Sequence, residues 1–264
     1  MYRFGFLLSA AILFVTCGCS QRQEGTFFPD EPSVRVVTYN VNWGFSNPGE
    51  VARFLDQADA DVVCLQETHS RWEVYLKSSL GCKYPYQVFE DRGGAGGIAI
   101  MSKYRISDAG LIKPEEGWFP GLLSTVETPI GEVRFLNVHL KPPLSDRGSA
   151  SVSAMYNASS IHLEEIQDFL KHTDPHKPLI ILGDFNENDR DKAVRWLVGQ
   201  GYTDALRAYD SYSKTWKWDL SYGLALSGRY DHIMIGEGLG CSAAAVFEVD
   251  ASDHMPVAAV VTRR

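Results

Sequence analysis

The chain has 264 residues, 45% of them hydrophobic, which is enough apolar material for one large core at the size of a single α/β or all-β domain. Charged residues at 22%, with 23 Gly and 12 Pro and no repeat at a fixed period, exclude disordered and collagen-like classes. The formal charge of -8, from 25 basic and 33 acidic residues, excludes a broad cationic surface for a long polyanion and leaves nucleic acid only a local site.

Met1-Tyr2-Arg3 is followed by an apolar run from Phe4 through Val15, broken by Gly5 and Ser9. A short basic start and an apolar stretch too short to span a bilayer comfortably predict an export signal over residues 1–18. Thr16-Cys17-Gly18-Cys19-Ser20 resembles the bacterial lipoprotein signal, which implies a lipid anchor at Cys19 in the cell envelope. Cys17 is the alternative, and a secreted protein with an unmodified cysteine is the other reading. Residues 19–33 are polar and aperiodic and read as a tether, with the folded domain over 34–264. Of the remaining cysteines, Cys64 reads as a buried small hydrophobe. A Cys82–Cys241 bridge is permitted by export, but nothing in the sequence demands it.

Val34 to Asn40 and Asp61 to Gln66 are β-rich runs. Between them Asn47 as cap, Pro48 at the first helical position, Glu50, and the stripe Val51, Phe54, Leu55 and Ala58 predict a helix. Further strands are predicted at Gly97–Met101, Leu122–Glu127, Glu132–His139, Leu179–Asp184, Arg229–Ile235, Ala243–Val249 and Pro256–Val261. Helices are predicted over about Asn157–His172 and Asp191–Gly199, and a hairpin turn over Thr128–Gly131. Strands outnumber helices and several neighbours are hairpin-linked, so a sandwich of two sheets with helices outside fits better than a wholly parallel sheet.

Polar residues recur at strand ends, where a site is readily assembled from distant sequence. In Leu182-Gly183-Asp184-Phe185-Asn186 an apolar strand ends in Gly, and Asp184 and Asn186, two apart, point the same way. Ser252-Asp253-His254 sets a carboxylate beside an imidazole, and Asp231 in Arg229-Tyr230-Asp231-His232 is placed to fix the His254 tautomer. His232 reads as a flanking strand residue rather than a ligand. Glu67 and Asn40 add a carboxylate and an amide at two further strand ends. Such oxygen donors suit a hard cation, Mg²⁺ or Mn²⁺. No His or Cys pair has the short spacing of a zinc site, and no phosphate-cradling GxxxxGK loop or Gly-x-Ser-x-Gly elbow is present.

Thr38-Tyr39-Asn40, Leu65-Gln66-Glu67, Asn137-Val138-His139-Leu140, Gly183-Asp184-Phe185-Asn186, Arg229-Tyr230-Asp231-His232 and Ser252-Asp253-His254, in this order, resemble the endonuclease/exonuclease/phosphatase superfamily. That group includes deoxyribonuclease I, the AP endonucleases, neutral sphingomyelinases and inositol polyphosphate 5-phosphatases. The resemblance spans roughly Val34 to Val261. It implies a deoxyribonuclease I-like four-layer α/β sandwich, two packed mixed β-sheets flanked by helices, with a metal-dependent site at its rim.

The resemblance further implies Glu67 as principal metal ligand, with Asn40 and Asp253 near the ion. Asp184 then orients or deprotonates the attacking water, and Asn186 steadies the same centre. His254, oriented by Asp231, contacts a non-bridging phosphate oxygen, and His139, with Asn137 helping to place it, lies on the leaving-group side. One departure is visible: AP endonucleases carry Asp where this chain has Asn42, which removes one carboxylate and weakens the case for that branch.

The expected activity is Mg²⁺-dependent hydrolysis of a phosphodiester in nucleic acid or nucleotides. Phospholipid head groups or a sugar phosphate are the alternative substrates, and a binding protein that lost catalysis is the alternative of another class. No protein partner is evident, and a monomer is expected. Arg147, in the long segment after His139, is a candidate phosphate contact set against a solvated loop arginine. Trp216, Trp218 and Tyr222 read equally as stacking platforms or as packing. Arg92–Gly97 reads as a turn before a strand rather than a nucleotide loop.

Overall fold

The computed structural model describes residues 31–143, 152–219 and 225–264. The predicted export signal, most of the predicted tether, Arg147 and Tyr222 lie outside these residues. Among the described residues, fourteen strands form two sheets of six and one hairpin. The first sheet runs β13 (Leu239–Val246), β14 (Val257–Arg263), β1 (Ser33–Asn40), β2 (Val62–Gln66), β4 (Ile98–Ser102), β3 (Tyr86–Glu90). The second runs β5 (Ile106–Ile112), β6 (Gly121–Thr128), β7 (Gly131–His139), β8 (Leu179–Asp184), β12 (Asp231–Ile235), β9 (Thr203–Asp204). Both sheets are mixed: β1–β2 and β7–β8 are parallel, and their other neighbours are antiparallel. β10 (Trp216–Asp219) and β11 (Ala225–Gly228) make the separate hairpin.

Period-two alternation sorts each strand between layers. Val34 and Val36 of β1, Val62 and Cys64 of β2, Val133 and Phe135 of β7, Ile180 and Leu182 of β8, and Ile233 and Ile235 of β12 fill the space between the sheets. The opposite parity of β1, Val37 and Tyr39, packs under α1 (Pro48–Ala58) and α2 (Ser70–Leu80) through Val51, Leu55, Trp72 and Leu76. Leu136, Val138 and Ile181 pack under α3 (Val152–Lys171) and α4 (Lys192–Gly199) through Ile166, Phe169, Val194 and Leu197. The result is the expected four-layer sandwich, helix–sheet–sheet–helix. A short α5 (Ala205–Tyr209) follows β9, and its Ala205 and Leu206 join the layer between the sheets. Among the described residues no helix is long and apolar enough to cross a membrane.

Most predicted elements lie within a few residues of their expected bounds, and the Thr128–Gly131 hairpin forms with the Thr128 hydroxyl bonding inside its own turn. Pro48 opens α1 as expected, but Asn47 makes no side-chain capping bond and Glu50 pairs with Arg53 instead. Besides the elements read from the sequence, the described residues form the helices α2 and α5 and the strands β3, β5, β9, β10 and β11. Cys64, Cys82 and Cys241 are all free thiols, Cys64 buried and Cys82 exposed.

Candidate active site

The apolar rows between the sheets turn polar at one rim. Continuing the same inner-face parity past Val36, Cys64, Phe135, Leu182 and Ile233 reaches Asn40, Gln66, Asn137 and His139, Asp184 and Asp231. Strand direction brings these residues together: β1, β2, β7 and β8 end there and β12 begins there, with Asn40 beside Gln66 and Asp184 beside both His139 and Asp231 in register. Gln66 and Asn137 stitch the sheets just below. Gln66 Nε2 donates to Asn137 Oδ1 at 2.6 Å, and Asn137 Nδ2 donates to the Leu65 and Ala99 carbonyls at 3.0 and 2.8 Å. Asn137 therefore bonds across to the other sheet.

Asp184, 1% exposed, is the hub. Its Oδ1 accepts from the Asn186 backbone N–H at 2.9 Å and its Oδ2 from Asn40 Nδ2 at 3.0 Å. The Nε2 atoms of His139 and His254 each lie 3.5 Å from that same Oδ2. The left-handed conformation of Asn186 (φ 49°) bends the chain so that its backbone bonds back to Asp184, while its side chain donates to Leu140 O at 3.0 Å. Gly183 (φ 144°) is obligatory, because a Cβ there would stand 1.9 Å from Val138 O on the neighbouring strand.

His254 Nδ1 donates to Asp231 Oδ2 at 2.9 Å, which leaves Nε2 facing the open side. Burial by itself opposes charge on this imidazole, but Asp231, Asp184 and Asp253 outweigh it and hold His254 up at about 10. Burial pushes Asp231 above the usual carboxylate range, and the contact with His254 pulls it back. Thr215 Oγ1 accepts from the backbone N–H groups of Tyr230 and Asp231, fixing the entry to β12. On the other side His139 Nδ1 faces Ala95 O at 3.2 Å. A carbonyl only accepts, so Nδ1 carries a proton and Nε2 is the atom turned to Asp184. The ring is stacked on Phe119 with centroids 4.5 Å apart.

Glu67, half-buried and at φ 60°, accepts from Asn40 Nδ2 and from the Trp43 backbone N–H, both at 3.0 Å. Asn40 Oδ1 accepts from the Asn42 N–H at 3.1 Å, and Asn42 Nδ2 donates to Asp253 Oδ1 at 2.9 Å. At the position where AP endonucleases carry a carboxylate, this chain thus supplies an amide donor to Asp253. Trp216 Nε1 donates to the other oxygen of Asp253 at 3.0 Å. All eight residues singled out from the sequence therefore belong to one hydrogen-bonded and ion-paired cluster. Sequence reasoning missed Asn42 as a donor, the Ala95 carbonyl, Phe119, Thr215 and the bond from Trp216 to Asp253.

The donor set fits a hard divalent cation. Glu67, Asp184, Asp231 and Asp253 converge, and among the described residues none of them pairs with a lysine or arginine. Asp184, Asp231 and His254 offer atoms within 4.8 Å of one another. With His254 charged between the two carboxylates, that trio is partly neutralised, and the more open Glu67 and Asp253 are the carboxylates left for an ion. A second cluster, Asp189, Asp204 and His232, is occupied by its own cations, with His232 3.1 Å from Asp204 and Arg229 3.5 Å from Asp189. His232 is buried on that side of β12, away from Asp184.

The sequence family described as Endonuclease/Exonuclease/phosphatase family matches residues 37–254. The chain belongs to this family, whose members are metal-dependent phosphoester hydrolases, and it is an enzyme of that class. Among solved structures it is similar to a functionally unknown conserved protein from Enterococcus faecalis V583, with TM-score 0.68, 19% identity, and coverage of 87% of this chain and 100% of that one. It is similar as well to D. rerio TDP2 complexed with a single-strand DNA product, with TM-score 0.68, 18% identity, and coverage of 87% and 99%. An AP endonuclease from Archaeoglobus fulgidus gives TM-score 0.65, 18% identity, and coverage of 86% and 98%. No curated protein matches the chain in sequence.

Proposed function

We propose that the chain is an exported, Mg²⁺-dependent phosphodiesterase or nuclease in which Asp184 orients the attacking water. The observation that carries this reading is one buried carboxylate set between two imidazoles, with Nε2 of His139 and of His254 each 3.5 Å from Asp184 Oδ2. A phosphodiester anion repels hydroxide, so its hydrolysis needs charge neutralisation, an oriented nucleophile and a proton for the departing alkoxide. A bound Mg²⁺, or Mn²⁺ on the same oxygen donors, supplies the neutralisation, with Glu67 and Asp253 holding it and Asn40 beside them. Asp184 accepts the proton of the attacking water, held in place by the Asn186 backbone N–H and by Asn40. His254, kept charged by Asp231, donates from Nε2 to a non-bridging phosphate oxygen. His139, its Nδ1 proton tied to Ala95 O, acts in its doubly protonated form beside Asp184, gives the Nε2 proton to the leaving oxygen and returns to the neutral ring.

Nucleic acid or nucleotides are the substrate class we favour, because the D. rerio TDP2 of similar fold is seen with a single-strand DNA product. The test is to incubate the protein from Gln21 with bis-p-nitrophenyl phosphate, p-nitrophenyl phosphate, plasmid DNA and sphingomyelin, first with Mg²⁺ and then with EDTA. The diester and the DNA are expected to be cut and chelation to stop it. Hydrolysis surviving exhaustive chelation contradicts the reading, and cleavage of sphingomyelin alone moves the substrate to lipid head groups. Export and anchoring rest on residues 1–20 of the sequence. Cys19→Ser is expected to move the full chain from the membrane pellet to the soluble fraction.

A further inference from the structure

On α3, behind the site, lies a buried acid that the proposed chemistry does not use. Glu165 is wholly buried, and its Oε1 has no hydrogen-bond partner. Burial pushes this carboxyl up to about 7. A buried acid with one oxygen left unpartnered costs stability, so its presence at this place points to a task. Its Oε2 accepts from the Lys141 backbone N–H at 3.1 Å. One turn earlier on the same helix face, His162 Nε2 donates to Lys141 O at 2.6 Å. Helix α3 thus grips the peptide groups on both sides of Lys141, two residues beyond His139.

The same carboxyl lies against the 115–119 segment. The Trp118 backbone N–H stabilises its charge, and a Cβ on Gly117 (φ 113°) would stand 2.0 Å from its Oε1. Asp168, one turn further along α3, accepts from Glu115 N at 3.0 Å. This segment ends in Phe119, the ring stacked on His139. His162 also lies 3.1 Å from Glu187, whose other oxygen accepts from the first N–H groups of α4 and which directly follows Asn186.

We infer that Glu165, with His162 one turn before it, is the positioning residue for His139, clamping to one helix both the strand end that carries the imidazole and the segment whose Phe119 covers its face. The inference deepens the proposed function, since it rests on His139 acting on the leaving-group side. Accepting a hydrogen bond is all the role requires, so Glu165→Gln should preserve it. Glu165→Ala should release both segments. Glu165→Asp, which keeps the charge but withdraws the carboxyl by one methylene, carries the test if the alanine variant does not fold.

The experiment reads the His139 ring resonances by NMR, assigned with His139→Gln, beside steady-state kinetics on bis-p-nitrophenyl phosphate. Stacking on Phe119 shifts the imidazole protons upfield, and Phe119→Leu gives their unstacked position. In Glu165→Ala or Glu165→Asp the His139 resonances are expected to move toward that position, and kcat to fall about tenfold to a hundredfold at nearly constant KM. Glu165→Gln should leave both near wild type. Unmoved His139 resonances in the alanine and aspartate variants would overturn the inference. Moved resonances with unchanged kcat would uphold the clamp and instead remove His139 from the reaction.

Discussion

Each side chain proposed to act in catalysis is held by a partner that fixes which of its atoms faces the open site. The carboxylate of Asp231 does this for His254 and also keeps it charged well past neutrality. Replacing Asp231 with Asn removes that counter-charge, so burial regains the upper hand and the imidazolium is lost at a lower pH. The alkaline limb of the pH–rate profile is therefore expected to move downward in Asp231→Asn, and an unmoved limb contradicts the assigned role. The eight residues of the cluster were legible in the sequence because each interrupts or ends an apolar strand run with a group that does not belong in a core. Ala95, Phe119 and Thr215 were not, because they act through a carbonyl, a ring face and a hydroxyl that takes backbone bonds from Tyr230 and Asp231. Those contacts are made across 44, 20 and at most 16 positions of chain, respectively, and no residue type announces them.

Strands deliver the site only if their ends stay in register, and β8 is the sensitive one. Gly183→Ala would drive a Cβ into Val138 O on β7. It is expected to lower stability by a few kcal/mol in chemical denaturation while disturbing Asp184 next to it. β12 is secured on its other side by a buried pair, His232 with Asp204. Burial opposes charge on His232, but Asp204 outweighs it and holds the imidazole at about 9, above its ordinary value. Its charged form therefore belongs to the folded state. That contribution is complete below about pH 6.5 and is lost as pH rises through about 9, a change on the order of 3 kcal/mol. The stability gap between wild type and His232→Gln is expected to narrow from pH 6 to pH 10, and a constant gap contradicts the pairing. Elements with one clean apolar stripe were legible, as in α1. The edge strands β3 and β5 were not, since edge positions are half exposed and β5 carries an irregularity between Ser107 and Gly110. α2 buries only Trp72, Leu76 and Leu80, a narrow stripe beside an exposed Val74.

Across the whole molecule, two sheets close over an apolar layer and leave its polar end at one rim, where four carboxylates meet two imidazoles. Strand count and hairpins suggested paired sheets, but the four-layer order came from the family resemblance, because periodicity cannot say which sheet faces which. Carboxylates gathered in this way repel one another until a cation joins them, so Mg²⁺ is expected to raise the unfolding temperature by several degrees over EDTA at saturation. Glu67→Gln should lose most of that gain in calorimetry. The most direct measurement is the rate of bis-p-nitrophenyl phosphate hydrolysis at saturating Mg²⁺ by wild type and by Asp184→Asn of matched unfolding temperature. A loss of about 10²–10³ in kcat is predicted. Wild-type turnover by Asp184→Asn would contradict it.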